Sequence, residues 1–131
     1  MANGIKKRVL LIVEDDLSLM RAIKHKLEKN GFETLIANSA EDALLILEKN
    51  KNVDMIWLDL LMPGIGGVKF LEIIRKNENY KNIPVIVVSV SGGPETIKKV
   101  SDYNIFEYVM KDQCNLADIV KRIKNHLNKP N

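Results

Sequence analysis

The chain has few of the residues on which a disulfide scaffold or a zinc centre depends. Among its 131 residues there is one cysteine, Cys114, and there are two histidines, His25 and His126. One cysteine cannot form an internal disulfide, and two histidines far apart in sequence do not provide the ligand spacing of a His/Cys metal site. The composition therefore excludes both kinds of framework and indicates a cytoplasmic location. Both histidines are expected on solvated helix surfaces.

Long hydrophobic runs and a strong excess of one charge are also absent. The longest apolar runs have five residues, as in Val9–Val13, whereas a membrane span needs about 20. The basic start of the chain soon reaches the acidic segment Glu14-Asp15-Asp16, which no signal peptide would tolerate. Twenty basic side chains against 17 acidic ones leave a net charge of +3, too little by itself to attract nucleic acid. We therefore expect neither a membrane nor a nucleic-acid partner.

What the chain does contain is a regular alternation of short apolar runs and amphipathic stretches. This alternation is typical of βαβ units and a parallel sheet with helices on both faces. We predict an α/β fold of the flavodoxin-like, doubly wound (βα)5 class, a three-layer sandwich with parallel sheet order 2-1-3-4-5. The length predicts a single domain over residues 1–131. The predicted strands are Val9–Val13, Thr34–Ala37, Val53–Leu58, Val85–Val88 and Phe106–Val109.

A few residues predict where helices begin and end. Ser39 and Asn115 are suited to N-cap positions, and Asn30-Gly31 is typical of the left-handed end of a helix. The fourth helix has only Ile97 and Val100 to bury, so it is the weakest of the five predicted helices.

Polar side chains follow four of the five predicted strands. Glu14 and Asp15 come after the first strand, Asp59 after the third, Ser89 after the fourth and Lys111 after the fifth. In a doubly wound sheet the first and third strands are neighbours, so the three acids should meet where the crevice opens. Carboxylates held together repel one another unless they share a proton or a cation, and an all-oxygen cluster suits Mg²⁺. The sequence thus predicts a site for a hard divalent cation.

A cation site that also offers a hydroxyl and an amine is suited to a phosphoryl group. Mg²⁺, Ser89 and Lys111 could each neutralise or hydrogen-bond one phosphoryl oxygen, and one carboxylate would then be the nucleophile. A flavin or nucleotide site is disfavoured. Such a site needs a Gly- or Ser/Thr-rich phosphate loop after the first strand, where this chain has three acids.

Four segments of the chain resemble a known family. They are VLLIVEDD at 9–16, WLDLLMPGIGG at 57–67, PVIVVSVS at 84–91 and YVMKD at 108–112. Over residues 8–128, the predicted core, the chain resembles the receiver domain of two-component response regulators. The resemblance implies that Asp59 accepts a phosphoryl group from the phosphohistidine of a sensor histidine kinase or phosphotransfer protein. The domain would then be a phosphoacceptor and not an enzyme that acts on a separate substrate.

The resemblance also assigns roles to the residues around the acceptor. The implied Mg²⁺ ligands are three side-chain carboxylates and one backbone carbonyl, those of Glu14, Asp15, Asp59 and Leu61. Ser89 and Lys111 correspond to the family's hydroxyl and lysine, and Tyr108 to its switch aromatic, while Asp16 is left as a spectator. The implied output is a change at the face of the fourth helix, fifth strand and fifth helix, where an output protein of unknown identity would bind. This face includes four lysines, Lys98, Lys99, Lys121 and Lys124, and is joined to the fourth strand by the flexible connection 91–94.

Four departures from the family pattern lie near these residues. Asp112 follows Lys111 where proline is usual, so a cis peptide bond is not expected there. Val90 is larger than usual and would narrow access to Asp59, Gly66-Gly67 would loosen the following loop, and the fourth helix lacks the usual alanines. Val90 and Asp112 keep open a degenerate receiver, a protein-interaction module that never takes phosphate. A domain excised from a longer regulator or hybrid kinase is a further alternative.

Overall fold

The computed structural model describes residues 7–90 and 93–128, and within them five strands alternate with five helices. The strands are β1 (Val9–Val13), β2 (Glu33–Ala37), β3 (Met55–Leu58), β4 (Val85–Ser89) and β5 (Glu107–Met110). The helices are α1 (Leu17–Lys29), α2 (Ala40–Lys49), α3 (Gly66–Arg75), α4 (Pro94–Ser101) and α5 (Leu116–Leu127). In the same part of the chain, no helix has the length and apolar character needed to cross a bilayer.

The strands form one parallel sheet in the order β2-β1-β3-β4-β5. The predicted fold class and sheet order are confirmed. β3 and β4 are buried along their whole length because they lie inside the sheet with helices on both faces. The third strand starts two residues later than predicted. Val53 is buried but precedes the strand, and the carboxylate of Asp54 accepts a hydrogen bond from the backbone N–H of Val9 at 2.8 Å.

The core occupies both faces of this sheet. α1 and α5 pack on one face, and α2, α3 and α4 pack on the other. The two largest fully buried side chains, Trp57 and Phe70, belong to opposite faces. Complete burial of a side chain such as Phe contributes about 1.5–3 kcal/mol, so each face is a substantial hydrophobic layer. The sheet with its two helical layers is the predicted three-layer sandwich.

The helix ends follow the predicted signals. The Ser39 hydroxyl accepts a hydrogen bond from the N–H of Asp42 at 3.0 Å, and the Asn115 side chain accepts one from the N–H of Asp118 at 2.9 Å. Gly31 has a φ of 91°, the left-handed conformation expected after α1. Asp16 caps α1, because its carboxylate accepts a hydrogen bond from the N–H of Leu19 at 3.0 Å.

One prediction about side-chain exposure was wrong. Ile97 is 37% exposed, since α4 reaches the core only with its last turn, where Val100 is fully buried. His126, expected on a solvated helix surface, is half-buried, and its ring packs against that of Phe106 with a centroid distance of 4.3 Å. His25 is exposed, as predicted. Of the connection 91–94, residues 91 and 92 lie outside the described residues.

One half-buried cation links the turns at the opposite end of the sheet from the predicted site. Arg75 donates a hydrogen bond from Nε to the carbonyl of Tyr103 at 2.7 Å and one from Nη1 to the carbonyl of Lys81 at 3.0 Å. Two longer contacts, both of 3.4 Å, join its guanidinium to the carbonyls of Tyr80 and Asn104. Burial lowers the pKa of Arg75 from its usual value. This one side chain therefore holds the end of α3 to the turns that precede β4 and β5.

Candidate functional site

The predicted site residues are brought together at the carboxyl edge of the sheet. β1 and β3 are paired in register up to Val13 and Leu58. The next residues, Glu14 and Asp59, therefore leave the sheet side by side. The N–H of Asp59 donates to the carbonyl of Val13 at 3.0 Å, and this bond extends the strand pairing into the site.

Three carboxylates form a compact cluster there. One oxygen each from Glu14, Asp15 and Asp59 can be chosen so that all three lie within 4.8 Å of one another. Glu14 and Asp59 are 2% and 3% exposed, whereas Asp15 is exposed. The Glu14 carboxylate also accepts a hydrogen bond from the N–H of Asp16 at 3.2 Å, which fixes its orientation. Hard oxygen ligands with one side open to water are the donor set that Mg²⁺ prefers, so these residues fit that ion.

Lys111 supplies positive charge to the cluster. Its Nζ lies 2.9 Å from Oε1 of Glu14 and 3.8 Å from Oδ2 of Asp59, and its side chain is 18% exposed. The backbone N–H of Lys111 donates to the carbonyl of Ser89 at 2.9 Å, so the end of β4 positions the lysine. One ammonium against three carboxylates leaves a net negative charge, which favours binding of a cation.

The environment of Asp59 changes its acidity. Burial raises the pKa of the Asp59 carboxyl from 3.8 to about 6, and the negative charge of Glu14 adds to this effect. The N–H of Leu61, which donates to Oδ1 of Asp59 at 3.1 Å, and the Lys111 ammonium act in the opposite direction. Most Asp59 side chains are therefore ionised and nucleophilic at neutral pH, and most are protonated near pH 5.

Ser89 and Tyr108 meet beside the acidic cluster. Ser89 is the last residue of β4 and is completely buried. Tyr108 pairs with Val87 in the sheet, so its side chain lies on the same face as that of Ser89. The two hydroxyl groups are hydrogen-bonded to each other. Burial raises the pKa of half-buried Tyr108, the hydrogen bond from Ser89 lowers it, and the charge of Asp59 raises it further.

The geometry agrees with a comparison against known families. A model of the response regulator receiver domain matches residues 10–124. The chain belongs to this family. Receiver domains of two-component systems take phosphoryl groups from histidine kinases.

Individual receiver proteins are similar along most of this chain. It is 31% identical over 106 residues to the CAI-1 autoinducer sensor kinase/phosphatase CqsS of Vibrio cholerae, a match that covers 80% of this chain and 15% of that protein. It is 27% identical to a chemotaxis protein CheY homolog of Campylobacter jejuni, with 78% of this chain and 79% of that protein covered. The CheY-like receiver domain protein of Methanospirillum hungatei superposes with a TM-score of 0.85 at 26% identity, covering 94% of this chain and 95% of that chain. The chain spans about half or less of the length of several curated relatives.

The loop after β3 is tightly packed at two of its glycines. A Cβ at Gly67 would lie 2.7 Å from the Cα of Leu60 and 2.8 Å from the carbonyl oxygen of Asp59. A Cβ at Gly64, where φ is 83°, would lie 2.6 Å from a carboxylate oxygen of Glu41. Close backbone packing therefore requires Gly67, whereas a Cβ at Gly66 would meet no atom within 4 Å, so the expected loosening of this loop stays a prediction. Sequence reasoning also missed Glu41, for which the sequence carries no signal.

The other departures from the receiver pattern have a modest structural effect. Among the described residues there is no cis peptide bond, in agreement with the prediction from Asp112. Val90 is 59% exposed, so most of its side chain faces solvent. Its effect on access to Asp59 stays a prediction. The backbone carbonyl of Leu61 likewise stays a predicted metal ligand.

Proposed function

We propose that Asp59 accepts a phosphoryl group from the phosphohistidine of a sensor histidine kinase or phosphotransfer protein, with the help of Mg²⁺. The observation that carries this proposal is the placement of a buried, ionisable carboxylate between Glu14 and Lys111 at the open edge of the sheet. In the transfer, an oxygen of Asp59 attacks phosphorus while the bond from phosphorus to the imidazole nitrogen breaks. The electron pair of that bond stays with the imidazole.

The surrounding residues have distinct roles in this step. Mg²⁺, when bound, would supply positive charge to the phosphoryl oxygens, and its predicted ligands are Glu14, Asp15, Asp59 and the Leu61 carbonyl. The ammonium of Lys111 is 3.8 Å from the Asp59 carboxylate. It can therefore leave its ion pair with Glu14 and bind an oxygen of the phosphoryl group on Asp59. The Ser89 hydroxyl can donate a hydrogen bond to another phosphoryl oxygen.

The same hydroxyl connects the site with the proposed output face. Ser89 cannot keep its present hydrogen bond with Tyr108 and also turn fully toward a phosphoryl group. Phosphorylation would therefore release Tyr108 and shift an equilibrium between two positions of its ring. Its element, β5, lies beside α4 and α5, where Lys98, Lys99, Lys121 and Lys124 are exposed. We propose this face as the binding surface for an output protein.

We further propose that the domain acts as a signalling phosphoacceptor and not as an enzyme with a separate substrate. Its own residues promote only formation and loss of the acyl phosphate on Asp59. A cytoplasmic location is part of the proposal and rests on the single cysteine, Cys114, which permits no internal disulfide.

Incubation with acetyl phosphate and Mg²⁺, followed by intact mass measurement, tests the proposal. We expect a mass gain of one phosphoryl group in the wild type and none in Asp59→Asn, because an amide is not a nucleophile toward phosphorus. Asp112→Asn is the matched control, since Asp112 is an exposed acid next to Lys111, and it should still be labelled. A wild type that gains no mass would favour the degenerate receiver. Full labelling of the Asp59→Asn variant would place the acceptor elsewhere.

A further inference from the structure

The two helical layers of the domain differ in charge. α2, α3 and α4 together carry five basic and five acidic side chains, so their layer is neutral. α1 and α5 pack side by side on the other face of the sheet. They carry seven Lys and Arg side chains against two acids, Glu28 and Asp118, a net charge of +5. The modest charge of the whole chain therefore conceals one strongly basic layer.

Two of these seven cations are neutralised within the domain. The ammonium of Lys24 is 2.5 Å from a carboxylate oxygen of Glu28, and it donates a hydrogen bond to the hydroxyl of Thr34 at 3.1 Å. Arg122 forms an ion pair with Glu107 of β5. Among the described residues, no carboxylate lies within 4.0 Å of the other five cations, which are Arg21, Lys26, Lys29, Lys121 and Lys124.

The neutralised cations show on which side of each helix the lysines lie. Lys24 is on the side of α1 that faces β2, because Thr34 belongs to that strand. Lys26 lies about 160° around the helix from Lys24, on the side of α5, and it is half-buried. Arg122 is on the side of α5 that faces β5, and Lys124 lies about 160° from it, on the side of α1. Lys26 and Lys124 therefore border the groove between the two helices.

This groove carries two pairs of lysines with the same spacing. Lys26 and Lys29 are three residues apart in α1, as Lys121 and Lys124 are in α5, so each pair spans about one helical turn. We call these four lysines the basic groove. Helix dipoles favour cations in a last turn, but Lys121 lies in the middle of α5. The dipoles therefore do not account for the whole set.

The basic groove is remote from the acidic site. Each of the two helices follows a parallel strand, so each runs from the carboxyl edge of the sheet back toward its amino edge. Lys26, Lys29 and Lys124 belong to the last turns of these helices. The proposed phosphoryl transfer uses none of the four lysines, and a partner can reach them without covering Asp59.

We propose that the basic groove binds an acidic helix of a partner protein. Carboxylates at i, i+3 or i, i+4 spacing on such a helix repeat at about the same distance as the lysine pairs. One helix laid along the groove can therefore form an ion pair with each lysine. This surface is distinct from the proposed output face, because Lys26 and Lys29 belong to α1 and α5 presents Arg122 and Lys124 on opposite sides.

Other polyanions fit the basic groove less well. Neither helix contains Phe, Tyr or Trp, on which the bases of a single strand of nucleic acid would stack. A helix that lies in a membrane interface needs a large apolar side. On α1 and α5 the one exposed large hydrophobic side chain among the described residues is Leu17, at the far end of α1 from the lysines. Charge is thus what this surface offers to a partner.

A synthetic peptide of repeated Glu-Ala-Ala-Ala units is the probe, since its glutamates recur at i, i+4 spacing in a helix. The matched peptide with glutamine in place of glutamate carries no side-chain charge. Nitrogen–proton correlation spectra of the full chain, recorded without a phosphodonor, measure binding. We expect saturable shifts of α1 and α5 signals with the acidic peptide and none with the neutral one. Sodium chloride should weaken the binding, because salt screens exposed ion pairs.

Double variants locate the binding surface. Lys26→Gln with Lys29→Gln should weaken binding about two- to tenfold, as expected for the loss of two exposed ion pairs. Lys26→Arg with Lys29→Arg should retain it, since the charges are kept. Lys98→Gln with Lys99→Gln is the matched control, because it removes two lysines from the last turn of α4, and it should leave the affinity unchanged.

Several results would overturn the proposal. Absence of a saturable shift, or equal affinity for the acidic and the neutral peptide, would show that the groove does not bind by charge. Equal losses in the two glutamine double variants would place the peptide elsewhere. Tighter binding of duplex DNA or of vesicles with anionic lipid at the same salt concentration would replace the acidic helix as the occupant. None of these measurements depends on phosphorylation, so the proposed function stands or falls separately.

Discussion

In the proposed transfer Asp59 has to be ionised to attack phosphorus, yet it is buried beside a second buried carboxylate, that of Glu14. Its pKa is raised to about 6 in the folded chain, against 3.8 for an ordinary aspartate. The neutral form is therefore the better tolerated one in the folded state. Protonation of Asp59 therefore stabilises the folded state. This contribution to the free energy of unfolding is fully present below about pH 4 and is lost as the pH rises through about 6.

Asp59→Asn should stabilise the metal-free domain at pH 7. An amide carries no charge that burial can penalise, so the free energy of unfolding should rise by up to about 3 kcal/mol. The gain should shrink with falling pH and vanish near pH 4. Urea denaturation without Mg²⁺ at several pH values measures this difference. An equal gain at pH 4 and pH 7, or a similar profile for Asp112→Asn, would contradict the role of charge.

Asp15 and Asp16 are adjacent acids with different expected effects. Mg²⁺ should raise the free energy of unfolding of the wild type by mass action, and Asp15→Ala should remove most of this dependence. Asp16→Ala removes the N-cap of α1 and should cost about 0.5–2 kcal/mol while leaving the Mg²⁺ dependence intact. Urea denaturation over a range of Mg²⁺ concentrations separates the two. Equal Mg²⁺ dependence in Asp15→Ala and wild type would show that the ion binds elsewhere.

At the start of α3, Gly67 has no room for a side chain. Gly67→Ala places a methyl group against the backbone of Asp59 and Leu60, just after β3, and it should cost about 1–3 kcal/mol as overpacking does. It should also slow labelling of Asp59, since the loop that orients this carboxylate must shift. Gly93→Ala is the control, because a Cβ there has no atom within 4 Å. Equal denaturation midpoints and labelling rates for the two variants would contradict the tight fit.

The elements differ in how far the sequence could predict them. The sheet order and the acidic cluster were predictable because apolar runs and the polar residues after them are local signals. The exposure of Ile97 was not, because it depends on how α4 approaches the sheet. The contacts of Arg75, Glu41 and His126 were equally hidden, since each joins residues that become neighbours only in the folded chain. The pattern of apolar and polar residues in one sequence does not show which distant residues will be in contact.

At the scale of the molecule, the proposed relay runs from the acidic site through Ser89 and Tyr108 to α4. Addition of beryllofluoride with Mg²⁺, as a phosphoryl mimic, should shift backbone amide signals around Asp59 and also in residues 93–110. The second set should move because the ring of Tyr108 changes its position when Ser89 turns away. Tyr108→Phe should retain the shifts around Asp59 and reduce those in α4.

Silence of residues 93–110 would separate acceptance from output. The domain would then take a phosphoryl group without changing its α4–β5–α5 face. Such a result would favour a phosphate sink or an intermediate in a relay over an output switch.

The ion pair between Lys111 and Glu14 joins residues that are 97 positions apart in the chain. Synthesis on the ribosome delivers the three acids long before this lysine. Until β5 docks, the carboxylates have no ammonium beside them, and their mutual repulsion opposes closure of the sheet edge. Contacts that close such long loops form slowly in folding. Completion of the sheet and assembly of the site are thus one event in the folding of this chain, and a nascent domain without β5 lacks the lysine that its acidic cluster requires.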